Sequence, residues 1–234
     1  MDNNTIALKI RQRLNKLSSN DSSNIECWQI VEAFNKGQTD WCRRDQRGAN
    51  MDRQRDKQSI TAIDDLQPIL TDTPLMPIKD FGTYWETIDF LPSNYMRWKR
   101  FKVMGSLKNC KSPFKVYLGE EANVELYLQD KDRQPNFGYR ETFAILKGNK
   151  IQVYTAGKFE IESLQLVYYR QPRKIQILNC KDPYTGATSA VNIECEFKDD
   201  VCEILIDEAA KIIAGDIEAQ FQFQRNDKSV KEDT

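Results

Sequence analysis

The sequence predicts an α+β fold: an N-terminal helical part and a C-terminal helix flanking a mainly antiparallel β-rich domain. Three observations carry this. Near both ends of the chain, apolar side chains recur three and four residues apart, the period of an amphipathic helix. Between them, Phe143, Ile145, Ile151, Val153, Leu164, Leu166 and Tyr168 alternate with more polar neighbours at period two, as in half-buried strands. Lys147-Gly148-Asn149-Lys150 and Ala156-Gly157-Lys158 interrupt that ladder with residues that tolerate positive φ. The stretch from Tyr139 to Ile177 is therefore expected to form three consecutive antiparallel strands.

Thr5 to Leu17 reads as the first helix, with Ile6, Ile10, Leu14 and Leu17 on one face and Asn4 as its N-cap. Its polar face carries Lys9, Arg11, Arg13 and Lys16 without an acid, a solvated face that is also able to touch something acidic. Ser18 to Asn24 is polar turn chemistry, and a second helix starts near Ile25 with Asn24 as its cap. Trp28, Val31, Phe34 and Trp41 keep helical spacing through Gly37, whose cost of about 1 kcal/mol is tolerable in a packed helix. The two tryptophans on that edge read as core or subunit contacts rather than a ligand cage. Ser59 to Leu70 suggests a short helix interrupted by Pro68, and Thr73-Pro74-Leu75-Met76-Pro77 a linker.

Tyr84 to Phe90 reads as a strand, Met96 to Ser106 as a second, irregular one, Phe114 to Leu118 as a third, and Glu120 to Leu128 as a helix. Asp130-Lys131-Asp132-Arg133 contains an Asp-x-Asp pair, but a loop of alternating sign is ordinarily solvated rather than metal-binding. Pro172 ends the last long strand, and Lys181 to Gly186 is a turn. The final helix buries Val201, Leu205, Ala209, Ile212, Ile213, Ile217 and Phe221. The resulting division is a helical part over 1–72, a linker over 73–80, a β-rich core over 81–198, a C-terminal helix over 199–223 packing back on the helical part, and a flexible tail over 224–234.

At 234 residues the chain can bury a core without disulfides. A net charge of −1 argues against a surface built throughout for nucleic acid. No apolar run is long enough to span a bilayer, and Met1-Asp2-Asn3-Asn4 lacks signal-peptide order, so a cytosol-like setting or a particle assembled there is expected. The six cysteines, Cys27, Cys42, Cys110, Cys180, Cys195 and Cys202, form no C-x-x-C pair and are expected as free thiols rather than metal ligands or a disulfide. The chain has no histidine, which excludes Ser-His-Asp and Cys-His catalysis. No catalytic, cofactor-binding or metal residue is assigned.

Several phrases together resemble the head-to-tail connectors of tailed bacteriophages, and more closely the ring proteins below the portal in crAss-like podoviruses. They are IECWQIVEAFNKGQTDWCRR from Ile25 to Arg44, IDDLQPIL from Ile63, FLPSNYMRW from Phe90 to Trp98, KGNKIQVYT, LVYYRQPRKI, and ECEFKDDVCEILIDEAAKIIAGDIE from Glu194 to Glu218. The match is one of organisation and phrase over most of residues 5–222, without a catalytic signature. It implies a structural virion protein at the head-to-tail junction, assembled in the host cytoplasm into a homo-oligomeric ring, most often of about twelve copies. The partners implied are the portal protein, further tail or ring proteins, and double-stranded DNA passing through the channel, with no membrane.

A ring needs heterologous contacts, in which one face complements a different face of the next subunit. Arg43, Arg44 and Arg47 on one side, and Glu194, Glu196, Asp199, Asp200 and Glu203 on the other, are the expected subunit interface. The two regions are expected to meet between neighbours in a ring or between successive rings. Arg53, Arg55 and Lys57 are candidates for lining the DNA channel, and a DNA-contacting module with this Arg-rich segment is the alternative function. A carboxylate-based cell-wall hydrolase is the remaining one, using pairs such as Glu120 with Glu121 or Asp199 with Asp200. Adjacent helix residues point in different directions, which argues against it.

Overall fold

The computed structural model describes residues 1–15, 25–46 and 64–217. The fold is α+β, with helices at both ends of this described chain and a large, curled, mostly antiparallel sheet. The chain divides into two compact units, Met1–Pro68 with Pro172–Thr234, and Ile69–Gln171.

In the helical unit, α1 spans Asn3–Asn15, α2 spans Cys27–Gln46 and α4 spans Asp199–Ile217. Ile6, Ile10 and Leu14 form the buried stripe of α1, and Val201, Leu205, Ala209 and Ile213 that of α4, which packs against both α1 and α2. Burying an Ile or Leu stabilises by roughly 1.5–3 kcal/mol, so these stripes hold the unit together. The cap of α1 is Asp2 rather than Asn4, because the Asp2 carboxylate accepts the Thr5 N–H at 2.6 Å. At the start of α2, Gln29 reaches back to accept the Glu26 N–H at 2.9 Å; Asn24, expected as the cap, lies outside the described residues. Helix α2 runs unbroken through Gly37 for a packing reason. A Cβ at Gly37 would lie 3.5 Å from Glu208 Cβ and 3.7 Å from the Ala209 nitrogen, so the glycine permits close approach of α4.

The extended segment after residue 172 belongs to this helical unit, not to the β-rich core. Side-chain amides bind it. Asn35 accepts the Ile175 N–H at 2.8 Å and donates to its carbonyl at 3.3 Å, Gln38 donates to the Arg173 carbonyl at 2.9 Å, and Asn3 donates to the Gln176 and Ile193 carbonyls. Each amide offers both a donor and an acceptor, which suits the edge of an extended backbone.

The other unit contains β1 (Leu70–Asp72), β2 (Ile78–Asp80), β3 (Tyr84–Thr87), β4 (Tyr95–Leu107) and β5 (Cys110–Leu118). Helix α3 (Val124–Gln129) and strands β6 (Glu141–Lys147), β7 (Lys150–Tyr154) and β8 (Glu160–Arg170) follow. The sheet order is β1-β8-β4-β5-β6-β7-β3-β2, with β5 and β6 parallel and every other pair antiparallel. Lys147 pairs with Lys150 across Gly148 and Asn149, at φ +56° and +61°, the signs a two-residue primed turn requires. The expected run of three consecutive antiparallel strands stops there. Strand β8 leaves β7 and pairs with β4 and β1 instead.

Residues 73–80, expected as a linker, close the sheet. Thr73 and Met76 donate their N–H groups to the Leu166 and Leu164 carbonyls at 2.9 Å, and β2 then pairs with β3 at the opposite end of the strand order. One segment therefore bonds both edges, which leaves less unpaired strand for intermolecular pairing. Inside the curl lie Phe101, Val103, Phe114, Ile151, Val153, Phe159, Ile161, Leu164, Leu166 and Tyr168, with Phe114 stacked on Phe159 at 4.5 Å. On the other face, Phe143, Ile145 and Tyr154 pack with Val124, Tyr127 and Leu128 around α3. The helix expected over Ser59–Leu70 lies partly outside the described residues. Within them, Asp64 and Asp65 are helical, Gln67–Ile69 form a 3₁₀ turn around Pro68, and Leu70 opens β1.

Candidate functional site

The oppositely charged segments meet within one chain. Lys9 of α1 pairs with Glu203 of α4, Arg13 reaches Glu203 at 3.0 Å and also bonds Asp207, and Arg44 of α2 reaches Glu208 at 3.1 Å. The Arg13 guanidinium is held above its usual range, first by its hydrogen bond to Asp207 and against the opposing cost of burial. Glu196 accepts from both the backbone N–H and the guanidinium of Arg173, at 2.9 and 3.1 Å. Asp199 takes the Met1 amine at 2.8 Å, and Lys198 pairs with Asp64 and, at 3.7 Å, with Asp65.

Of the residues expected at a subunit interface, Arg44, Glu196, Asp199 and Glu203 thus have partners in their own chain. Arg43, Glu194 and Asp200 are exposed. Arg47, Arg53, Arg55 and Lys57 lie outside the described residues. Of the carboxylates of the hydrolase alternative, Glu121 pairs with Lys147, Glu120 accepts from the Asn123 amide and Asp199 takes the Met1 amine, while Asp200 is exposed. In the Asp-x-Asp loop, Asp130 accepts the Asp132 N–H at 3.0 Å and faces Arg133 at 3.6 Å, which satisfies its oxygens locally.

The free-thiol expectation is corrected at one pair. Cys27 and Cys180 form a disulfide, with Cα atoms 5.8 Å apart across a sequence separation of 153. It ties the first turn of α2 to a tongue over residues 178–191. The tongue is organised internally by Asn179, Asp182 and Ser189 bonds and by an Asp182-centred turn at Tyr184 and Thr185. Trp28 meets Tyr184 edge-on at 6.1 Å beside a cleft of about 400 Å³, whereas Trp41 is buried against Phe197 at 5.3 Å. Cys42, Cys110, Cys195 and Cys202 are not in a disulfide. The Cys202 thiol is pushed far above the usual range by its hydrogen bond to Cys195 and by burial, so it is an inert, structural thiol.

No protein-family model matches the chain, and no curated protein is similar to it. The remaining clues are therefore in the surface itself.

One basic surface escaped the sequence reading. Between Asp89 and Glu120 the chain has seven basic residues, Arg97, Lys99, Arg100, Lys102, Lys108, Lys111 and Lys115, and no acid. The whole-chain charge of −1 conceals this, and a windowed charge count would have exposed it. These residues lie on the β4–β5 hairpin. Register shifts between Tyr95 and Arg97 and between Trp98 and Arg100 insert extra residues on β4. Tyr95, Trp98, Phe101 and Val103 consequently pack with the inner core, while Arg97, Lys99 and Arg100 are exposed. Lys99 lies 5.4 Å from the Tyr169 ring centroid. Lys102, Lys111 and Lys115 have carboxylate partners in Asp72, Glu162 and Glu141. Lys108 stands exposed at the hairpin turn with φ +56°.

Proposed function

We propose that this chain is a subunit of a head-to-tail connector ring, linking capsid to tail around a DNA exit channel. The resemblance of several phrases to those of such ring proteins suggests the reading, and one structural observation supports it. Leu75, Ile88 and Phe90 are 65%, 55% and 67% exposed. The Ile88 N–H donates to the Pro77 carbonyl at 2.9 Å, joining the two segments that carry these side chains. Phe90 also opens the FLPSNYMRW phrase. Such a projecting apolar corner marks an interaction surface, and a corner that must enter a different face of a neighbour builds a heterologous contact. The intrachain pairing of α1 and α2 with α4 shifts the expected ring contact away from those helices and onto this corner.

The test is the mass of the purified chain, with negative-stain images, alone and with its portal. Rings of about twelve are expected, and Ile88→Ser with Phe90→Ser returns the protein to a folded monomer. A parent chain that stays monomeric at roughly micromolar concentration and also fails to bind portal rings overturns the reading.

A further inference from the structure

We propose that the outer face of the β4–β5 hairpin is a contact surface for the phosphate backbone of double-stranded DNA. The 43–57 segment is not required for it. Arg97, Lys99, Arg100 and Lys108 share this hairpin, and among the described residues no carboxylate is bonded to Arg97, Arg100 or Lys108. Contacts between folded proteins favour interspersed charge of both signs, as between α1 and α4 here, whereas a polyphosphate asks for cations alone.

The spacing fits as well. From Arg97 to Lys108 a bulged strand covers roughly 30–35 Å, about one turn of a B-form duplex. A row of cations along that length tracks a backbone. Trp98 packs toward the core and offers no stacking platform, so the surface reads phosphate rather than sequence. Glu160, opposite Ser106 on β8, is exposed, while Glu162 and Asp72 are taken up by Lys111 and Lys102 of the hairpin.

The inference stands apart from the ring reading, because it is measured on the full chain in whatever assembly state it adopts. Fluorescence anisotropy with a labelled 30-base-pair duplex of arbitrary sequence reads it. Four backbone contacts give a slope of log affinity against log salt of about −3.6, so binding weakens roughly 100-fold between 50 and 200 mM NaCl. The variant Arg97→Ser, Arg100→Ser, Lys108→Ser, matched to the parent in mass and thermal transition, is expected to retain a slope of about −1. Should the triple variant not fold, the three single variants are each expected to lower the slope by about one. Arg43→Ser with Arg44→Ser leaves binding unchanged. No binding at 50 mM NaCl, or variants that bind as the parent does, overturns the proposal. So does displacement of the duplex by poly-glutamate as effective as by unlabelled DNA, which points to an acidic protein partner, or a preference for duplex RNA.

Discussion

The two units handle charge and cohesion in opposite ways. In the helical unit, segments far apart in sequence are fastened by ion pairs, by amides that grip an extended backbone, and by a disulfide spanning 153 residues. The β unit relies on a continuous apolar interior inside a sheet closed by a single segment, and leaves Arg97, Arg100 and Lys108 exposed along one hairpin with no carboxylate bonded to them among the described residues. Charge matched inside a chain organises the fold, while charge left unmatched is available to something outside. The two kinds of basic residue look alike in sequence and differ only in where the acids come to lie.

Removing the disulfide separates the units most strongly. In the chain-entropy account, Cys27→Ser with Cys180→Ser lowers the stability of the helical unit by up to about 5 kcal/mol. Hydrogen exchange is expected to show faster amides in the tongue and in α2, with Ile145 and Leu164 unchanged; an equal loss in both units would remove the distinction. Gly105→Val strikes the other unit. A Cβ there would sit 2.5 Å from the Phe114 ring, so the overpacked interior costs about 1–3 kcal/mol, read as an earlier denaturant midpoint for the β unit alone. The smallest effect sharpens the account of charge. Arg13→Ala costs under about 1 kcal/mol at low salt and close to nothing in 1 M NaCl, because Arg13, Glu203 and Asp207 all remain partly exposed. A loss that persists at high salt would mean that Arg13 acts through its aliphatic stem instead.

Local features were legible and remote partnerships were not. The α1 stripe, the continuation of α2 through Gly37 and the Gly148-Asn149 hairpin each follow from a few neighbouring residues. Alternation in Leu164, Leu166 and Tyr168 marks β8 as a strand but carries no information about its partner, so the jump from β7 to β4 stayed hidden. The same holds for Cys27 with Cys180, where spacing alone cannot set connectivity. Thr73 to Asp80 looked like a linker because its two prolines, Pro74 and Pro77, suppress strand propensity. Thr73, Met76 and β2 nevertheless supply the N–H groups and carbonyls that both sheet edges need. The acidic start of α4 was visible, yet its partners on α1 lie some 190 residues upstream. The basic hairpin was within reach of the sequence throughout, and averaging over the whole chain erased it.

The β unit is an insertion: the chain enters it at Ile69 and leaves at Gln171, and the helical unit is made from what precedes and follows. Its first and last strands are hydrogen-bonded neighbours, with Leu70 opposite Tyr169. A module whose two ends emerge side by side places almost no closure cost on its host. On closure cost alone, the helical unit can therefore carry this cassette, a shorter one or a simple turn at the same point, while its helices and their ion pairs stay as they are.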